Sequence, residues 1–71
     1  MQSLPQIFGN RLREIRTARG WSQEEFADNC HIHRSHMGEI ERGEVAVELT
    51  TLAKIVKGLG MTPGAILDPI F

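Results

Sequence analysis

Long apolar runs, cysteine pairs, strand signatures and a large net charge are all missing from these 71 residues. No stretch approaches the ~20 apolar residues that a bilayer crossing needs. Met1, Gln2 and Ser3 lead into no basic and then apolar leader, so no membrane partner is expected and the expected location is cytoplasmic. The single cysteine, Cys30, excludes an internal disulfide and fits a reducing compartment. No run alternates β-branched and aromatic residues between hairpin turns, which argues against a sheet. The formal net charge is −1, so the broad basic footprint of many nucleic-acid binders is lacking and such a partner would have to be met by a local arrangement of charge. Catalytic chemistry is missing as well. Without paired carboxylates, a phosphate-cradling loop or a nucleophile beside an oriented base, neither an enzyme nor a small-molecule substrate or cofactor is expected.

What is present describes a folded domain. Hydrophobic residues make up 41% of the chain and charged residues 24%, the balance of an ordinary globular protein and not of a disordered one. Residues 1–71 form one domain. A core of this size supplies about 3–5 kcal/mol net, so association with a second copy is expected to supplement it. Arg11, Arg13, Arg16 and Arg19 fall in one early segment, and all three histidines lie between residues 31 and 36.

Helical signals follow one another along the chain. Phe8, Leu12, Ile15 and Ala18 keep the rhythm of one helical face, with Ser3 to Gln6 at capping-box spacing before them and Gly20 as a stop after them. They predict a helix over about 6–19. Ser22 and Glu25 form a second capping box, Trp21 and Phe26 a hydrophobic staple, and Phe26, Ala27 and Cys30 the inner face of a helix over 23–30. Met37 and Ile40 resume the pattern in a helix over 34–41 that Gly43 stops. The turn between these two helices puts a left-handed position at His31, and histidine is among the residues that tolerate it. Leu49, Leu52, Val56 and Leu59, widened by Ile55, predict a helix over 49–59. Thr62 and Pro63 open a last short helix over 63–67. Two short helices joined by a tight turn have the dimensions of a helix-turn-helix.

In FGNRLREIRTARGWSQEEFA (Phe8 to Ala27), IERG (Ile40 to Gly43) and LAKIVKGLGMTPGAIL (Leu52 to Leu67), the chain resembles the Cro and lambda-repressor type of helix-turn-helix protein, the XRE family. The order and separation of these stretches make the resemblance specific. It implies an all-α, compact five-helix bundle that reads double-stranded DNA through its third helix. Within that family, HRSHMGEIERGE (His33 to Glu44) is similar to the controller proteins of restriction-modification genes. Those proteins carry basic and amide residues just after the glycine, where this chain has Val45, Ala46 and Val47.

On a helix from Arg34, residues 34, 35, 38, 39 and 42 share one side while Met37, Ile40 and Glu41 point the other way. Arg34, near the amino end, suits the O6 and N7 of a guanine, or is a solvated surface arginine. Ser35 and His36 are placed to reach a base or phosphate, and Arg42 lies on the same side. Gly38 permits close approach either to a groove or to another helix. Glu39 is suited to accept from a cytosine or to orient Arg34 or Arg42. His33 either caps the helix or touches phosphate. Ser22 and Gln23 open the second helix, whose free N–H groups and dipole suit a phosphate, with Ser22 capping in either case. The resemblance pairs Arg16 with Glu41 as a scaffold ion pair. Cys30, His31, His33 and His36 lack a second ligand pair and are not read as a metal site.

The function expected from these features is a sequence-specific transcription regulator, repressor or activator, bound as a homodimer to a two-fold symmetric operator. Ile55, Ile66, Leu67, Ile70 and Phe71, with too little core to fill, are the expected dimer surface. The alternative is an antitoxin-type module whose main partner is a protein and whose DNA binding is secondary. Such a module is expected to carry a polar, disordered neutralising tail.

Overall fold

The computed structural model describes residues 1–71 and contains five helices: α1 (Leu4–Ala18), α2 (Gln23–Cys30), α3 (Arg34–Glu41), α4 (Leu49–Leu59) and α5 (Pro63–Leu67). Four of the five starts are capped by a side chain, and that of α4, at Glu48, is not. Ser3 accepts from the Gln6 N–H while the Gln6 side chain returns the bond, which starts α1 at Leu4, two residues before the expected start, with Pro5 tolerated in the first turn. Ser22 and Glu25 repeat the box at α2, with the Trp21 and Phe26 rings 6.1 Å apart beside it. Thr62 caps α5 through the Ala65 N–H.

The α2–α3 turn is made without glycine. His31 takes φ 56 and ψ 41, and the Ile32 N–H reaches back to the Ala27 carbonyl at 2.9 Å, closing the end of α2. His33 then caps α3, its Nδ1 accepting from the Ser35 N–H at 3.1 Å.

Helix α1 packs on α3, α2 packs on both α3 and α4, and α5 closes against α1. The core is formed by Phe8, Leu12, Ile15, Phe26, Ala27, Cys30, Ile32, Met37, Ile40, Ile55, Leu59 and Ile66. A fully buried side chain of this kind contributes roughly 1.5–3 kcal/mol, so few of the twelve can be dispensed with. Gly9, Gly43 and Gly58 permit the closest approaches, Gly43 against Gln6. A Cβ on Gly9 would meet the Ile40 and Glu41 carbonyls, and one on Gly58 would overlap the Cys30 sulfur. The Cys30 thiol sits in that contact, and burial pushes its pKa up to about 11. No helix is long and apolar enough to cross a membrane.

Several expectations are corrected here. Ala18 is exposed, because at about 100° per residue it lies some 80° round α1 from Phe8. Leu49 is 83% exposed while Ile55 is fully buried. The inward face of α4 centres on Ile55, between Leu59 on one side and Gly58 on the other. Ile55 and Ile66 are therefore not available as a dimer surface, since both have no exposure within a single chain. Leu67 and Ile70 are half-buried and Phe71 is 84% exposed. Three of the four early arginines serve the fold. Arg11 donates to the Ala65 and Ile66 carbonyls at the end of α5, Arg16 binds Glu41, and Arg19 lies 5.0 Å over the Trp21 ring.

Candidate nucleic-acid interface

The first turn of α2 and the outer face of α3 enclose an open groove lined by Ser22, Gln23, Glu24, Arg34, Ser35, Gly38 and Arg42, with no apolar side chain among them. Five of the eight predicted interface residues thus share one wall-to-wall surface: Ser22, Gln23, Arg34, Ser35 and Arg42. His33, His36 and Glu39 are exposed outside it. The two possibilities for Gly38 are also separated, since a Cβ there would meet only side-chain tips, Arg42 Nη1 at 2.9 Å and Gln23 Oε1 at 3.2 Å. No helix backbone presses on it. Its missing side chain keeps the floor of the groove open.

Charge in the groove is paired. Arg34 Nη1 donates to Glu24 Oε1 at 2.7 Å across the two helices. Arg42 binds Glu44 through Nε at 2.9 Å and Nη2 at 3.2 Å, and this bonding raises the Arg42 pKa and lowers that of Glu44. Neither arginine bonds Glu39, whose charge adds only a lesser upward push on Arg42. Glu24 and Glu44 were not singled out as site residues from sequence. Glu24 is ten residues from Arg34, and only the crossing of α2 over α3 joins them.

Beneath the groove lies the ion pair. Arg16 grips Glu41 with two parallel bonds, Nε to Oε2 at 2.9 Å and Nη2 to Oε1 at 3.0 Å, while its Nη1 donates to the Trp21 carbonyl at 3.0 Å. The Gln23 amide also donates to Glu41 Oε1 at 3.3 Å. One buried carboxylate therefore ties α1, the start of α2 and α3 together, and every buried polar side-chain atom has a partner. Gln23 is held from below with its side chain at the groove wall. His33 caps α3 through Nδ1, with the Ser35 hydroxyl 2.7 Å from the same nitrogen.

A family model described as a helix-turn-helix domain matches residues 7–68. The control protein C.BamHI of Bacillus amyloliquefaciens is 41% identical over 63 residues, which cover 87% of this chain and 78% of that protein. The crystal structure of the restriction-modification controller protein C.AhdI from Aeromonas hydrophila superposes with a TM-score of 0.82 at 40% identity, over 87% of this chain and 94% of that one. The chain belongs to the helix-turn-helix family of controller-type regulators. The controller protein C.Esp1396I matches at a TM-score of 0.87 over 99% of this chain and 91% of its own, and at 23% identity it supports the shared fold alone. As a member of this family the protein is a DNA-binding transcription regulator and not an enzyme. Where controller proteins were expected to be basic after the glycine, this regulator has Val45 and Val47 packed against its core. That segment serves as a strap between α3 and α4.

Proposed function

We propose that the protein regulates restriction-modification genes by binding, as a homodimer, an operator with two-fold symmetry, reading bases through α3 and clamping the backbone through the start of α2. The observation that carries this reading is the polar groove that gathers Ser22, Gln23, Arg34, Ser35 and Arg42 on one face. Arg34 reads a guanine, since it is 69% exposed at the amino end of α3 and its fork matches O6 and N7. Ser22 and Gln23 meet a phosphate, where the free N–H groups of α2 and its dipole favour an anion. Ser35, His33, His36 and Arg42 add phosphate or base contacts around them, and Glu39 lies at the margin. The ion pair of Arg16 and Glu41 is scaffold.

The dimer reading moves outward from Ile55 and Ile66 to the apolar groove of about 250 Å³ between the start of α1 and the chain end, where Leu4, Phe8, Val47, Leu52, Leu67, Ile70 and Phe71 meet. A second copy covering this face would supplement a small core. Selection from random duplex DNA by gel shift tests the function. It should enrich an inverted repeat whose half-sites lie about one helical turn apart. Arg34→Ala should cost roughly 1–3 kcal/mol on that site and relax one base position, whereas Gln23→Ala should weaken all sequences evenly. Enrichment of a lone half-site, with a monomer in sedimentation at high micromolar concentration, would remove the dimer. Equal losses on selected and random DNA for Arg34→Ala would remove base reading.

A further inference from the structure

An anion in the middle of a groove proposed to face phosphates needs a reason. Glu24 lines that groove, is 64% exposed, and is not needed by the core. It is not needed to cap α2 either, because Ser22 and Glu25 already form the capping box. In the free protein its one bond is to Arg34 Nη1, at 2.7 Å. An exposed pair of this kind adds little to stability, so its value has to be sought in what it does to the arginine. The guanidinium has five donors in a rigid fork, and Glu24 takes one at a single nitrogen. The Nε and Nη2 edge has no partner in the fold and remains a two-pronged donor.

We propose that Glu24 is a positioning residue for sequence reading: it holds Arg34 by Nη1 so that the opposite edge meets a guanine, and its charge disfavours phosphate contact by the same arginine. This rests on the reading of α3 given above. Two effects act together. A tethered fork loses less side-chain freedom on meeting O6 and N7, so the correct base is favoured. A tethered fork is also less free to swing to a backbone phosphate, and the carboxylate repels that phosphate, so unselected DNA is disfavoured. The neighbouring Arg42 is paired with Glu44 instead, which leaves Glu24 to Arg34 alone.

The test measures binding of the full chain to the selected operator, to the operator with the Arg34-contacted guanine replaced, and to random duplex, for Glu24→Ala, Glu24→Gln and Arg34→Ala. Glu24→Ala should lower the ratio of operator to random affinity by about three- to tenfold, as for an ion pair strengthened when water is excluded. Its affinity for random DNA should rise, and the slope of log affinity against log salt should steepen by up to about 0.9 as Arg34 gains a phosphate. Glu24→Gln, which keeps an oxygen for Nη1, should recover much of the lost discrimination. Thermal melts of all three variants should match the parent, since both side chains are exposed. If Arg34→Ala leaves discrimination at the guanine intact, the reading of α3 fails and the Glu24 proposal falls with it. If Arg34→Ala abolishes it while Glu24→Ala leaves ratio and salt slope unchanged, Glu24 alone is overturned. A rise in operator affinity equal to the rise on random DNA would show that Glu24 merely competes with DNA for Arg34, and would also overturn the proposal.

Discussion

Replacing Glu41 with glutamine should destabilise the domain severely although the shape is kept. The carboxylate has no exposure and accepts from Arg16 twice and from Gln23 once, while Arg16 itself is only 15% exposed. In Glu41→Gln one acceptor oxygen becomes an N–H donor facing another donor, and the Arg16 charge is left without its partner. Breaking a buried pair from one side typically costs 3–5 kcal/mol, because the remaining charge stays desolvated. A core of this size supplies only about 3–5 kcal/mol net. The single change should therefore remove most or all of the stability. Removing both charges should be milder. In the Arg16→Met, Glu41→Leu double variant no ion is stranded, and what is lost is the bond from Arg16 to the Trp21 carbonyl and the bond from Gln23 to the carboxylate, about 1 kcal/mol each. Urea unfolding followed through the sole tryptophan, Trp21, at one fixed protein concentration would measure all three proteins. A Glu41→Gln protein within about 1 kcal/mol of the parent would refute the reasoning, as would a double variant less stable than the single one.

The glycines of α3 and α4 should respond in opposite directions. Gly58→Ala drives a Cβ into Cys30, within 2.9 Å of its Cα and 3.0 Å of the Asn29 carbonyl. A gain of about 1 kcal/mol in helix propensity should be outweighed by 1–3 kcal/mol of overpacking, lowering Tm. Gly38→Ala meets only the movable tips of Arg42 and Gln23, so Tm should rise while gel shifts show weaker DNA binding; the reverse order of melting temperatures would contradict this packing. In the capping box of α2, the Ser22 backbone N–H and then its hydroxyl hold the Glu25 carboxyl below its ordinary pKa. A depressed folded pKa contributes stability above the unfolded value and loses it as the pH falls through the folded value. The Tm difference between the parent and Glu25→Gln should therefore be widest at neutral pH and close in acid, and a gap independent of pH would count against the capping charge.

What could be read from the sequence follows from how local its causes are. The boundaries of α2, α3 and α5 match the expected ones because Ser22, Glu25, Gly43, Thr62 and Pro63 act within a turn of their own position. The start of α1 lies two residues before the expected one, because Ser3 is the N-cap itself and Leu4 and Pro5 are already in the first turn. The inward face of α4 is masked in the sequence for a different reason. Gly58 contributes no apolar side chain to the periodicity, yet it is where α2 comes closest, so the true centre at Ile55 looked like an edge. With that centre masked, the pattern leaves Ile55 free for a partner, although it is fully buried. Ile66 looked free because five residues of α5 are too few to show a face, and nothing near it announced that Arg11, 55 residues away, would fasten that helix down. Candidate interface residues were legible where they share a helix with Arg34. Glu24 was not, because its role depends on the angle at which two helices cross.

These pieces bear on how reading and clamping are connected. Arg34 sits on α3 and Gln23 on α2, so the spacing between a base contact and a phosphate contact is set by how those helices are locked together. The lock is Glu41, which projects from α3, takes two bonds from α1 and one from Gln23 itself. A buried ion pair is a weak source of net stability, but its directional bonds admit one relative placement of the elements they join. An apolar replacement of Arg16 and Glu41 would leave Gln23 without its anchor even if the bundle stayed folded. The double variant that is mild in urea should therefore still bind DNA less well, with the loss spread evenly over sequences, because the displaced residue is the proposed clamp and Arg34 keeps its own partner. If that variant instead lost discrimination at the guanine while random binding held, the placement of α3 would depend on the ion pair more than that of Gln23 does.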